Sequence, residues 1–78
     1  MRNTAATVQT VSARAEFSAE RVRRLRDSMS LTQEQLAHLL GVTFSTVNRW
    51  ERDRSRPNLI ARRLLLSLER RHVLREGV

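Results

Sequence analysis

A turn of about three residues joins two helices in the middle of this chain, and it limits the possible folds more than any other feature. Residues 39–43 read Leu-Leu-Gly-Val-Thr, and Gly41 can adopt the positive φ angle that ends a helix abruptly. Helices joined this tightly must cross steeply, and Ala37 supplies a small side chain where their backbones approach. The sequence therefore predicts a helix-turn-helix.

Four helix starts are indicated by capping residues. Ser18, Thr32 and Thr43 each follow a hydrophobic residue and have another one four positions into the helix, the pattern called a hydrophobic staple. Gln35 completes a capping box with Thr32, and Asn58 can cap a last helix that runs to about residue 75. No segment alternates with a strand's period of two. We predict an all-α fold, a compact bundle of four or five helices.

The length allows one small domain, because the chain has 78 residues. Residues 1–16 are mostly Ala, Thr, Val and Asn without a clear period, which predicts a flexible N-terminal arm before a domain over residues 17–78. The sequence contains no cysteine, no apolar signal segment and no apolar run near the ~20 residues of a membrane span. We therefore expect a cytoplasmic protein held together by packing alone.

The charge is strongly basic. Fifteen basic residues against eight acidic ones give a net charge of +7, and all fifteen are arginines. The planar guanidinium can grip a phosphate or a guanine edge with two hydrogen bonds, which Lys cannot do. A GC-rich genome is an alternative origin of this composition. The charge itself predicts a polyanionic partner, which could be DNA, RNA or an anionic membrane surface.

Candidate catalytic and metal-binding groups are sparse. His38 and His72 have no cluster of potential ligands nearby in sequence, apart from Glu34 one turn before His38. No combination of Ser, His and an acid stands apart from helix caps and surface charges. We expect no enzyme activity, no metal and no cofactor.

The segment TQEQLAHLLGVTFSTVNRWERDRSRP, residues 32–57, resembles the helix-turn-helix domains of phage repressors of the Cro/CI (XRE) type. The resemblance extends over about residues 18–68 and implies a lambda-repressor-like fold. Gly41 takes the turn position. The family's small and apolar positions hold Leu36, Ala37, Leu40, Val42, Val47 and Trp50. The family often has Gly where this chain has Ser30 and Asp53. It also often has two short C-terminal helices, whereas residues 59–75 read as one long helix, as in short antitoxin-like members.

This resemblance implies a sequence-specific regulator of transcription that binds double-stranded DNA, a repressor that occupies an operator by inserting helix 43–52 into the major groove. The alternative is an antitoxin-like or adaptor module whose main role is to bind a toxin or another regulator through the arm or the last helix, with DNA binding for autoregulation. The resemblance also implies an ion pair between Arg26 and Glu51, with a small net energy if it is exposed.

Helical phase divides the third helix into two sides. At about 100° per residue, Thr43 and Trp50 fall beside Val47 and define the buried side. The opposite polar stripe consists of Ser45, Asn48, Arg49 and Arg52. Arg can pair with guanine, Asn with adenine and Ser with either. The stripe predicts base reading by Ser45, Asn48 and Arg49, and a solvated surface is the alternative.

Phe44 falls at the edge between the two sides. By resemblance, its position often holds a base-reading glutamine, whereas a Phe ring can pack on a thymine methyl group. We predict thymine recognition by Phe44, with ordinary packing as the alternative.

Phosphate contacts are predicted on both sides of the third helix. Gln33 begins the second helix, where free N–H groups can meet a phosphate, and the resemblance implies this use of it. From Arg49 to Arg63 six arginines face two acidic residues. The predicted phosphate-binding residues are Gln33, Thr43, Arg52, Arg54, Ser55 and Arg56.

The last helix carries two apolar lines. One is predicted to close the core: Ile60, Ala61, Leu64 and Leu68. The other recurs every seven residues and should be exposed in a monomer: Leu59, Leu66 and Val73. Heptad spacing predicts a homodimer seam, and the alternative is that the line only pads the domain's edges. Two-fold dimers of such domains read half-sites about one helical turn of DNA apart.

Overall fold

The computed structural model describes residues 17–77 and their side chains as far as residue 72. Four helices follow one another in it: α1 Ala19–Ser28, α2 Gln33–Leu40, α3 Phe44–Glu51 and α4 Leu59–Gly77. The described residues form no strand, so the all-α prediction is confirmed, and α4 is one continuous helix. None of the described helices combines the length and the apolarity needed to cross a membrane. The predicted arm, residues 1–16, lies outside the described residues.

The four predicted helix starts are confirmed by capping hydrogen bonds. The side-chain oxygens of Ser18, Thr32 and Thr43 accept the backbone N–H three residues later at 3.3, 3.0 and 3.1 Å. Gln35 closes the capping box, because its Oε1 accepts the backbone N–H of Thr32 at 2.9 Å. Asn58 Oδ1 caps α4 by accepting a backbone N–H at 2.9 Å. These bonds satisfy N–H groups that the first turn of a helix leaves without partners.

Three helix ends share one backbone motif. Ser30, Gly41 and Asp53 have φ angles of 57°, 72° and 60°, all in the left-handed region. At each end the N–H of the next residue donates to the carbonyl five positions earlier, at 2.8 to 3.0 Å. This is the Schellman arrangement, in which a left-handed residue lets the chain turn back and satisfy the last carbonyls. The positions of Ser30 and Asp53 therefore keep the geometry that Gly often provides.

The apolar core lies between α1, α2, α3 and the first half of α4. The five residues predicted as core from the helix-turn-helix segment are all buried: Leu36, Ala37, Leu40, Val47 and Trp50. Phe17, Val22, Leu25, Ala61 and Leu65 complete the buried cluster. The helix α2 packs against both α3 and α4, and α1 packs against α3. The core thus fixes the orientation of α3 from one side only.

The predicted core face of α4 is wrong in part. Ile60 and Leu64 are 70% and 42% exposed, whereas Ala61 and Leu65 are buried. The reason is that Leu65 is fully buried, and helical phase then turns Ala61 into the core and Ile60 and Leu64 outward. Glu69 lies four residues further on the same line, and its Oε2 accepts Arg21 Nε of α1 at 2.8 Å.

The second apolar line of α4 is not fully exposed. Leu59 is exposed, but Leu66 is half-buried and packs against the core, which corrects the expectation that it would be free in a monomer. The side chain of Val73 lies outside the described residues.

Replacing Ser30 by Gly should stabilise the protein by about 0.5–1 kcal/mol, because a left-handed conformation strains a residue with a Cβ but not glycine. The measurement is the free energy of unfolding from urea denaturation. The matched control is Ser28→Gly inside the last turn of α1, which should destabilise by about 0.5 kcal/mol. If both substitutions destabilise the protein equally, the left-handed conformation of Ser30 is not strained.

Candidate nucleic-acid interface

Helix α3 presents most of the predicted base-reading residues to solvent. Ser45 and Arg49 are exposed and Asn48 is half-buried, while Val47 and Trp50 on the other side are buried. The two sides follow from the helical period of 3.6 residues, because residues three or four positions apart lie on the same side. Val47 and Trp50 therefore share one side, and Ser45 and Arg49 share the other. The structure therefore brings the polar stripe together on the surface of one short helix.

Thr43 departs from the helical-phase prediction, because its side chain is exposed and not on the buried side. As the N-cap it has an extended backbone, with φ −86° and ψ 159°, so the periodicity of the helix does not apply to it. Its hydroxyl oxygen lies 2.9 Å from that of Thr46. An exposed hydroxyl at the start of α3 is accessible to a phosphate group.

Phe44 is the first residue of α3 and is 50% exposed. It does not belong to the buried cluster or to the half-buried residues packed against it. A half-exposed aromatic ring beside a polar stripe leaves apolar surface available for a partner. The contact of its ring with a base stays a prediction.

The arginines at the C-terminal end of α3 are free of competing partners within the described part of the chain. Arg49, Arg52 and Arg54 are exposed, and their side chains make no hydrogen bond or ion pair to another described residue. Arg56 is exposed and contacts Asp53 through an Nε–Oδ1 distance of 3.5 Å. Ser55 between them is half-buried. This segment therefore offers three unneutralised guanidinium groups to an anion.

Gln33 is tied to α3 in a way that sequence reasoning missed. Its side-chain Nε2 donates to Glu51 Oε1 at 3.1 Å, from the first residue of α2 to the last residue of α3. The amide carries a second N–H, which this bond leaves available. No spacing in the sequence pointed to this contact, since the two residues are 18 positions apart. The bond holds Gln33 at the edge of the surface formed by α3.

The ion pair between Arg26 and Glu51 is present and buried. Arg26 Nε and Nη2 donate to the two carboxylate oxygens at 2.6 and 2.9 Å, and the side chains are only 16% and 4% exposed. Arg26 Nη1 also donates to the Leu31 carbonyl, and Arg23 Nη1 donates to the Glu51 carbonyl, both at 2.9 Å. The small energy expected for an exposed pair therefore does not apply.

The same network acts on the guanidinium group of Arg26. The hydrogen bonds to Glu51 raise the pKa of Arg26 against the lowering effect of its burial, and the charges of Glu51 and Asp27 raise it further. Every buried side-chain nitrogen or oxygen in the described residues has a hydrogen-bond partner. A satisfied pair of this kind is costly to break, because the half-buried guanidinium would keep only the exposed Asp27, 3.5 Å away, as a counter-charge.

Within the described part of the chain, no three His, Asp or Glu side chains come together where they could hold a metal ion. The interface is therefore described by its arginines, hydroxyls, amides and the ring of Phe44.

Substituting Glu51→Gln should lower the free energy of unfolding by about 2 kcal/mol, because a neutral amide replaces the carboxylate that accepts two hydrogen bonds from Arg26, and only the exposed Asp27 remains as a counter-charge. Urea denaturation of the purified protein measures this change. The control is Glu34→Gln on the exposed side of α2, whose carboxylate has no partner among the described residues, with an expected change within about 0.5 kcal/mol. If the two variants unfold at similar urea concentrations, the ion pair between Arg26 and Glu51 does not hold the helices together.

A family model described as a helix-turn-helix matches residues 22–65, which is more than half of the chain. The matched region contains most of α1, all of α2 and α3, and the start of α4. Comparison with curated proteins gives no match, and comparison with solved structures gives none.

Proposed function

Because the chain belongs to the helix-turn-helix family of the phage-repressor (Cro/CI, XRE) type, whose members are DNA-binding regulators of transcription, we propose that it is a repressor. It occupies a double-stranded operator by placing α3 in the major groove. The observation that carries this proposal is the division of α3 into a buried apolar side and an exposed polar side bounded by arginines without protein partners. The family is regulatory and not enzymatic. A protein with this role acts in the cytoplasm, at the nucleoid.

Base reading falls to the exposed side of α3. An α-helix with its side chains is about 10–12 Å in diameter, which fits the roughly 12 Å width of the major groove of B-DNA. Arg49 can make two hydrogen bonds to guanine, Asn48 can pair with adenine, and Ser45 can contact either base. Phe44 contributes apolar contact with a thymine methyl group. Each good two-bond pair discriminates against the wrong base by about 1–3 kcal/mol.

Phosphate groups are held by residues around both ends of α3. Thr43 presents its hydroxyl at the start of the helix. At its end, Gln33 contacts Glu51 and presents its remaining amide N–H beside the positive end of α2. The loop that follows supplies three arginines and a serine: Arg52, Arg54, Ser55 and Arg56. Contacts to phosphate fix the position of the domain on DNA and do not read the sequence.

Selection of bound duplexes from random DNA tests this function directly. It should yield one preferred sequence for the wild-type protein, and Phe44→Gln should replace a preferred thymine at one position, because Gln can pair with adenine but a Phe ring cannot. The matched control is Arg54→Gln, which should weaken binding to all sequences without changing the preferred one. Enrichment of no sequence by the wild-type protein would refute the proposal, and an unchanged profile for Phe44→Gln would remove that residue from it.

We further propose that the repressor binds as a homodimer through the line of Leu59, Leu66 and Val73 on α4. Leu59 is 53% exposed at the start of that helix, and a two-fold dimer would present two copies of α3 to successive turns of DNA. Leu66 contributes only its exposed part, since it also packs against the core.

Light scattering tests the dimer with Leu59→Arg, which should convert a species of twice 9.1 kDa into a monomer by placing two charges at the seam. Leu59 is a better site than Leu66, because a charge at Leu66 would disturb the core. The control is Leu39→Arg, the same change at a similarly exposed leucine on α2. A wild-type protein that scatters as a 9.1 kDa monomer at high concentration would contradict the dimer.

A second candidate function is an antitoxin-like or adaptor role, in which a toxin or another regulator is the main partner and DNA binding serves autoregulation. The exposed apolar side chains of Ile60 and Leu64 favour this candidate, because a contiguous apolar surface on a small protein is typical of a protein-binding site.

A further inference from the structure

A groove with a volume of about 490 Å³ lies between the helix-turn-helix and α4. Leu40, Val42 and Trp50 line it from α2, the turn and α3, and Ile60 and Leu64 line it from α4. The groove is on the side of α3 that carries Trp50, and the residues proposed to read bases are on the opposite side. Ser55 and Arg56 also line the groove, so its rim meets the loop proposed to bind phosphate, whereas Ile60 and Leu64 lie away from the base-reading residues.

The wall formed by α4 is more apolar than the surface of a small monomer requires. Ile60 is 70% exposed, more than any other large hydrophobic residue that the structure describes, and Leu64 follows one turn later on the same side of the helix. Ala61 and Leu65 already fill the core side of α4, and Glu69 on the same line contacts Arg21, so Ile60 and Leu64 are left outside the core. Their exposure is built into the fold and marks a surface that a partner covers.

The charges around the groove are mainly positive. Arg56 lines it, Arg63 is exposed one turn after Leu59, and Arg71 is exposed two turns beyond Leu64 on the same line of α4. Among the described residues no carboxylate lines the groove, and the nearest acidic contact is that of Asp53 with Arg56 at 3.5 Å. A second copy that entered the groove would bring its own arginines near Arg56 and Arg71, which disfavours it as the occupant of the groove. The proposed dimer seam of Leu59 and Leu66 is a different line of α4.

We propose that this groove binds an acidic amphipathic helix of a partner protein. Apolar side chains spaced three or four residues apart on that helix cover Ile60 and Leu64, and its carboxylates lie beside Arg63 and Arg71. This deepens the second candidate function, because it names the chemistry of the protein partner and the surface that takes it. Arg56 is left to the phosphate contacts proposed above, and Arg49, Arg52 and Arg54 also remain available to DNA.

The probe is a synthetic helical peptide with leucines at every third or fourth position and glutamates elsewhere, without Trp or Tyr. Trp50 is the only tryptophan of the chain and lines the groove, so its fluorescence reports occupancy. Titration of the full-length protein should give a saturable change with a Kd on the order of 10–100 μM. Ile60→Gln should weaken binding at least fivefold and Ile60→Glu at least tenfold. The control Leu39→Glu, on α2 outside the groove, should leave the affinity within twofold.

Three outcomes would overturn the proposal. If a scrambled peptide of the same composition binds equally well, charge alone attracts the peptide. If a peptide with lysines in place of the glutamates binds equally well, the arginines do not contribute to recognition. A wild-type dimer that Ile60→Gln, but not Leu59→Arg, converts into monomers would show that a second copy fills the groove.

DNA affinity separates this proposal from the proposed function. The variant Ile60→Gln should bind the selected duplex within threefold of wild type, since Ile60 is on the side away from the reading residues. If the wild-type protein binds DNA but not the peptide, only the proposal for the groove is overturned, and the proposed function is unaffected. Circular dichroism checks that both Ile60 variants remain folded, which the exposure of this residue leads us to expect.

Discussion

The carboxylate of Glu51 is the interaction on which the arrangement of the first three helices depends. It lies at the C-terminal end of α3, where the helix dipole is negative, and it is almost completely buried, so it would be strongly destabilising without a cation. Arg26 of α1 supplies that cation through two hydrogen bonds, and Gln33 of α2 adds a third. One carboxylate therefore connects α1 and α2 to the last residue of α3 and limits how far α3 can rotate.

The fixed rotation of α3 is what gives its sequence two functions at once. Val47 and Trp50 contribute to the core, and the same rotation leaves Ser45 and Arg49 in solvent. A rigid helix lowers the entropy cost of binding, because the side chains that contact DNA start from one backbone arrangement. Stability and recognition are thus linked through the burial of one side of a helix of eight residues.

The sequence was sufficient to predict the parts of the fold that depend on local chemistry. Ser18, Thr32, Thr43 and Asn58 are caps because hydroxyl and amide oxygens can satisfy N–H groups within three residues. The rotation of α4 could not be predicted, because residues 64–66 are all Leu and point in three directions. That rotation depends on long-range packing, which buries Ala61 and Leu65 and brings Glu69 to Arg21, 48 positions away in the sequence. The contact of Gln33 with Glu51 could not be predicted either, because these residues are also far apart in the sequence. The bases read by Phe44, Ser45, Asn48 and Arg49 depend on a partner outside the chain.

The salt dependence of affinity for a selected duplex tests most directly whether the arginine-flanked surface of α3 binds DNA. If Arg52, Arg54 and Arg56 each neutralise one phosphate, a plot of log K against log salt should have a slope of about −3 per protomer. Arg54→Gln should make that slope shallower by about 0.9, because one fewer counterion is released. A slope near zero, or an unchanged slope in Arg54→Gln, would contradict the assignment of this surface to DNA.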